Sequence, residues 1–129
     1  MIIGIGTDIV EIDRIDGVLS RRGASFVRRI LTPAEREQFY SKKDQTRYLA
    51  KRFAAKEAAA KALGTGFRQG VSWQDFEVYS DKMGKPGLLL RGKAQSMMQE
   101  KGLRESHLSI SDERDYAIAF VIFSASYGV

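Results

Sequence analysis

The sequence predicts an α+β domain with helices packed on a mainly antiparallel sheet. Three observations lead there. Residues 2–10 alternate like a strand, and residues 50–62 carry alanine at seven of thirteen positions, like a helix. Residues 76–123 then hold further short alternating runs separated by turn residues. The 129 residues show no repeat, linker or low-complexity tract, and are read as one domain over 1–129.

In the first strand Ile3, Ile5, Thr7 and Ile9 face one way, and Ile2, Gly4, Gly6, Asp8 and Val10 face the other. The isoleucine face is read as the apolar one. The two glycines leave room for something to approach the backbone beside Asp8. Ile12, Ile15, Val18 and Leu19 fit a short amphipathic helix ending near Gly23. Thr32-Pro33-Ala34-Glu35 starts another helix, running to about Ser41. Thr32 caps it, Pro33 suits its first position and Glu35 closes a capping box.

The next helix covers about Gln45 to Leu63, and Gly64 is placed to stop it. Its alanines permit close packing, while Arg52, Lys56, Glu57 and Lys61 project from it. Phe76–Ser80 and Gly87–Arg91 read as strands around a turn at 81–86, and Lys93–Lys101 as a helix ended by Gly102. His107–Ser111 alternates with Leu108 and Ile110 inward, and Glu113-Arg114-Asp115 turns the chain. Tyr116–Phe123, apolar on both faces, is read as a central strand.

Composition narrows the function. The absence of cysteine excludes disulfides, thiolate zinc sites and a cysteine nucleophile. Met1 leads straight into Ile2-Ile3-Gly4 without a signal-peptide pattern, and no apolar run approaches the roughly 20 residues of a membrane span. A cytoplasmic protein is expected. The net charge of +5 is unevenly placed. Residues 14–36 hold six arginines against Asp16 and Glu35, and residues 42–61 hold seven cations against Asp44 and Glu57. Such clusters are either solvated faces or attractors of anionic partners. The interleaved aromatics fall at helical core spacings without a nucleic-acid-binding pattern, so nucleic acid is not the expected partner.

Asp8, near the end of a strand, suits either a solvent-facing acid or a ligand to a hard cation. Glu57 and Lys61 lie one helical turn apart. They fit a surface salt bridge, or a working pair on an alanine face packed against something. With Asp8, Glu57 completes a two-carboxylate Mg²⁺ site, and Lys61 contacts a phosphate or helps remove a hydroxyl proton. Gly64-Thr65-Gly66 is either an ordinary helix stop or a nest of amides for an anion. It is not a Walker loop, because no G-K-[ST] follows. His107 is the sole histidine, with Ser109 and Ser111 on its face. It reads as a half-buried strand residue or as a phosphate or adenine contact.

Four segments in order resemble one family. Gly4-Ile5-Gly6-Thr7-Asp8-Ile9-Val10-Glu11 with Arg14-Ile15, then Arg52 through Gly66, then Gly84-Lys85-Pro86 and His107-Leu108-Ser109-Ile110-Ser111, look like the signatures of holo-[acyl-carrier-protein] synthases. These are short 4′-phosphopantetheinyl transferases, and the resemblance covers essentially the whole chain. It implies transfer of 4′-phosphopantetheine from coenzyme A to a serine of apo acyl carrier protein in fatty acid biosynthesis. The second product is adenosine 3′,5′-bisphosphate.

By resemblance, Asp8 and Glu57 ligate Mg²⁺, and Lys61 contacts the phosphate and assists deprotonation of the serine. Gly64, Thr65 and Gly66 line the diphosphate site. Arg52 and His107 reach the adenosine phosphate end, with Lys85 and Pro86 in the coenzyme A set. Arg14, Arg22, Arg28 and Arg29 dock the acidic carrier protein. A homotrimer with active sites at subunit interfaces is implied. Many members carry a second histidine where this chain has Asp112, and Asp112 receives no role. The competing reading is a small basic module that docks an acidic protein or nucleotide without chemistry.

Overall fold

The computed structural model describes residues 1–126, and its main sheet is three-stranded. β1 (Ile2–Glu11) and β4 (Leu103–Asp112) both run antiparallel to β5 (Tyr116–Ala125), which lies between them. The two-faced apolar run thus takes the central position, as expected. β2 (Phe76–Ser80) and β3 (Pro86–Leu90) form a separate antiparallel hairpin. The helices are α1 (Ile12–Arg22), α2 (Ala24–Ile30), α3 (Pro33–Ser41), α4 (Gln45–Leu63) and α5 (Gly92–Glu100). The α+β class therefore holds, with the hairpin standing apart from the main sheet.

The contact that organises the fold is α4 against β1 and β5. A β-carbon on Gly4 would lie 2.1 Å from the Ala62 carbonyl oxygen, and one on Gly6 2.0 Å from that of Ala58. No residue but glycine fits there. Opposite Asp8 and Val10 on β5 stand Ala119 and Ala117, both buried. The room beside Asp8 is therefore filled by the chain's own alanine helix.

This contact reverses the expected orientation of β1. Gly6 and Val10 are buried, whereas Ile5 and Ile9 are 58% and 61% exposed. A helix can approach this closely only on the glycine side, so the isoleucines are left on the outer face. Ile118 and Phe120 of β5 are exposed beside them.

α2 was not expected between Gly23 and Thr32. Its seven residues end in an extended Leu31 rather than a glycine stop, so the local signal for a helix end is missing. β4 begins at Leu103 rather than His107, because a register shift between Leu103 and Glu105 breaks the alternation there. The predicted capping box of α3 is present: the Thr32 hydroxyl accepts from the Glu35 amide at 3.4 Å, and Glu35 Oε1 accepts from the Thr32 amide at 2.8 Å.

Glu35 also anchors the interior. It accepts from the Val78 amide at 2.8 Å and from Lys56 Nζ at 2.6 Å. Lys56 donates as well to the carbonyls of Ile30 at 2.6 Å and Trp73 at 3.3 Å. It is 0% exposed. The expectation that Lys56 projects beside Glu57 is thus corrected. One residue along an α-helix turns the side chain by about 100°, from solvent into the core.

Candidate active site

α4 carries Phe53, Glu57 and Lys61 on one face, each a turn beyond the last. Its glycine-mediated seating on β1 brings that face to the strand's rim. Lys61 Nζ lies 3.1 Å from Asp8 Oδ1 and 3.0 Å from the Thr7 carbonyl oxygen. The Glu57 carboxyl is held above the usual carboxylate range, chiefly by burial and then by the charge of Asp8. Lys61 and Arg14 pull it back. Asp8, Arg14, Glu57 and Lys61 therefore share one electrostatic environment, built from β1, α1 and α4.

Two like charges held near one another are favourable only with a cation beside them. Lys61 partly fills that role here, and the pair fits Mg²⁺, which takes one or two carboxylates together with waters and phosphate oxygens. No group of three or more His, Cys, Asp or Glu residues converges among the described residues, so this is not a closed protein cage.

At the end of α4, Gly64 adopts a left-handed conformation with φ of 95°. Its amide donates to the Ala60 and Lys61 carbonyls, and that of Gly66 to Ala60 at 3.1 Å. Those two amides serve the helix stop, one of the two readings of this turn. The Thr65 hydroxyl donates to the Gly66 carbonyl at 2.8 Å. A β-carbon at Gly64 or Gly66 would meet nothing within 4 Å, so the turn offers open surface beside Lys61.

Arg52 faces elsewhere. Its guanidinium lies over the Tyr48 ring at 4.4 Å, and its buried Nε has no hydrogen-bond partner. It forms the floor of an open pocket of about 470 Å³, walled by Lys42, Lys43, Arg47, Lys51 and Ser80. These lysines and Arg47 were seen in the sequence only as a charge cluster, with no roles assigned. Ser80 pairs with Pro86 across the hairpin, which puts Lys85 and Pro86 beside this basic pocket. Asp112 holds one wall, with an oxygen 2.9 Å from Arg47 and another 3.9 Å from Lys51.

His107 is not brought to Asp8. It pairs with Ile122, which also faces Ile5, whereas Asp8 pairs with Ala119. Odd spacing along β5 puts the two on opposite faces of the sheet. His107 is exposed on the outer face, 3.4 Å from Glu105. Arg14, Arg22, Arg28 and Arg29 are exposed along α1 and α2. None has a carboxylate within 4 Å among the described residues.

The model of the 4′-phosphopantetheinyl transferase superfamily matches residues 4–121. The holo-[acyl-carrier-protein] synthase of Vibrio cholerae serotype O1 (strain M66-2) is 57% identical over 122 residues, covering 95% of this chain and 97% of that one. The crystal structure of the Neisseria meningitidis holo-[acyl-carrier-protein] synthase is similar with a TM-score of 0.89 and 46% identity, over 96% of this chain and 99% of that one. The Helicobacter pylori holo-[acyl-carrier-protein] synthase, solved in complex with coenzyme A, is similar with a TM-score of 0.82 and 32% identity, over 93% and 99%.

Proposed function

The chain belongs to the holo-[acyl-carrier-protein] synthases of the 4′-phosphopantetheinyl transferase superfamily, and from that premise we propose how its residues divide the work. It transfers 4′-phosphopantetheine from coenzyme A to a serine of apo acyl carrier protein, in fatty acid biosynthesis. The serine oxygen forms a bond to the pantetheine-bearing phosphorus. The bond from that phosphorus to the bridging oxygen breaks, and adenosine 3′,5′-bisphosphate leaves.

The observation that carries this reading is the meeting of Asp8 with Glu57 and Lys61, from elements distant in sequence. Asp8 and Glu57 would hold Mg²⁺, which when bound supplies positive charge to the diphosphate. Lys61 lies within reach of the same oxygens and adds a second positive charge where negative charge accumulates. The proton of the incoming serine passes to Glu57, directly or through water, while Lys61 stays charged beside the phosphate.

The basic pocket around Arg52, with Lys85 and Pro86 at its edge, suits the phosphorylated adenosine end of coenzyme A. The arginines of α1 and α2 dock the acidic carrier protein. The exposed isoleucines and Phe120 of the sheet's outer face suit contact between copies in a homotrimer, where His107 reaches a partner's coenzyme A. No helix among the described residues is long and apolar enough to cross a membrane. The cytoplasmic location belongs to the proposed reaction with coenzyme A and a fatty-acid carrier protein.

Incubation with coenzyme A, Mg²⁺ and an apo carrier protein, followed by intact mass, tests the reaction. The carrier should gain one phosphopantetheine group. With Glu57→Ala the gain should vanish while the fold and carrier binding persist. Carrier binding without any mass gain in the unaltered protein would favour a docking module instead.

A further inference from the structure

α2 ends without a glycine, yet its terminal carbonyls are all occupied. A helix leaves its last carbonyls without intrahelical partners, and something else must serve them. The Leu31 amide takes the Val27 carbonyl at 2.9 Å. The next four are met by three side chains from three separate elements. Gln74 Nε2 donates to the carbonyls of Arg28 at 3.0 Å, Arg29 at 3.2 Å and Leu31 at 2.9 Å. Lys56 Nζ donates to Ile30 at 2.6 Å. Arg36 Nη1 donates to Arg28 at 3.3 Å and Leu31 at 3.0 Å.

Gln74 sits in the short 3₁₀ turn Trp73–Asp75, whose flanks are themselves tied down. The Trp73 carbonyl accepts from Lys56, and Asp75 accepts from the Ala94 amide at the start of α5. Gln74 is exposed and fills no core space. What it holds is the backbone beneath Arg28 and Arg29, whose side chains are exposed on the last turn of α2.

We propose that Gln74 is a positioning residue for carrier-protein recognition: it fixes the backbone of the Arg28–Arg29 turn so that both guanidiniums are pre-aimed at an acidic partner. This rests on the docking role given to those arginines. A primary amide suits the task. Its two N–H groups, one of them shared between two acceptors, serve the three neutral carbonyls, and it adds no charge of its own beside the arginines.

Positioning and charge have different kinetic signatures. Charge steers the encounter and sets the association rate, whereas pre-organisation of short-range contacts sets the dissociation rate. Binding of an apo carrier protein is therefore measured by stopped flow or surface plasmon resonance. Gln74→Met keeps the length and removes both donors. It should raise koff roughly tenfold with kon unchanged, since ordering a long side chain again costs binding energy. Gln74→Glu, which sets a carboxylate against the carbonyl oxygens and beside the arginines, should raise koff more strongly and lower kon as well. Turnover at saturating carrier and the KM for coenzyme A should hold in both.

The double variant Arg28→Gln/Arg29→Gln should instead lower kon and flatten its dependence on salt. If the arginine variant binds weakly while both Gln74 variants keep the original koff, the positioning role is overturned and the docking surface stands. Unchanged binding in the arginine variant overturns both. A fall in turnover and coenzyme A affinity alongside carrier affinity marks Gln74 as a general fold element, and also defeats the proposal.

Discussion

Gly6→Ala probes how the site is built. The added methyl would lie 2.0 Å from the Ala58 carbonyl oxygen and 2.7 Å from the Ala62 amide nitrogen, both backbone atoms of α4. Ordinary contact begins at 3.4 Å, so the helix must withdraw from β1 by about 1.4 Å. Neither obstacle is a flexible side chain that can swing aside. Overpacking of a core costs about 1–3 kcal/mol, and a clash with backbone belongs at the top of that range. For a domain of this size that corresponds to a Tm lower by roughly 10 °C.

The same withdrawal carries Glu57 and Lys61 away from Asp8. A misplacement of that size can cost roughly a hundredfold in rate. Thermal unfolding followed by circular dichroism gives the first quantity. The transfer rate, measured well below the new Tm, gives the second. Gly102→Ala serves as control, because its φ of 79° strains an alanine but nothing lies within 4 Å of the added carbon. It should lose about 1–2 kcal/mol of stability and keep its specific rate. A Gly6→Ala protein that melts early yet transfers at the original rate would show that helix–strand proximity is not what brings the acids together.

Glu57→Gln should stabilise the metal-free protein near neutral pH. Its carboxyl is raised above the unfolded value, so the ionised form costs the folded state stability as pH rises through the carboxylate range. The gain in Tm should be present at pH 7 and disappear near pH 3, while transfer is abolished; a gain independent of pH would contradict this. Lys56→Met leaves Glu35 buried without its cation and should cost about 3–5 kcal/mol in urea unfolding. A loss under about 1 kcal/mol would mean that water or a neutral Glu35 takes over. Phe120→Asp charges the outer sheet face and should turn the proposed trimer into monomers by light scattering. Persistence of the trimer would place the subunit contact elsewhere.

Much of the site was readable because its signals are local. Glu57 and Lys61 fall one turn apart on any helix, and Asp8 interrupts an apolar strand. The capping box at Thr32–Glu35 and the two-faced apolar run of β5 likewise need only neighbouring residues to be recognised. α2 escaped notice because its end is capped by Gln74, Lys56 and Arg36, all from outside the helix. No window of sequence around residues 24–31 contains that information.

By itself, then, the order of residues determined most of the helices and strands, α2 excepted, and which side chains share a face, since those follow from periods of 3.6 and 2.0 along the chain. Only the tertiary structure decided which face turns inward. Composition pointed to the isoleucine side of β1, but α4 seats on the glycine side, where two backbones can touch. That choice brings Lys61 to Asp8 and leaves His107 and Ile5 outside together. Steric fit between distant segments settled it, and hydropathy carries no record of such fit.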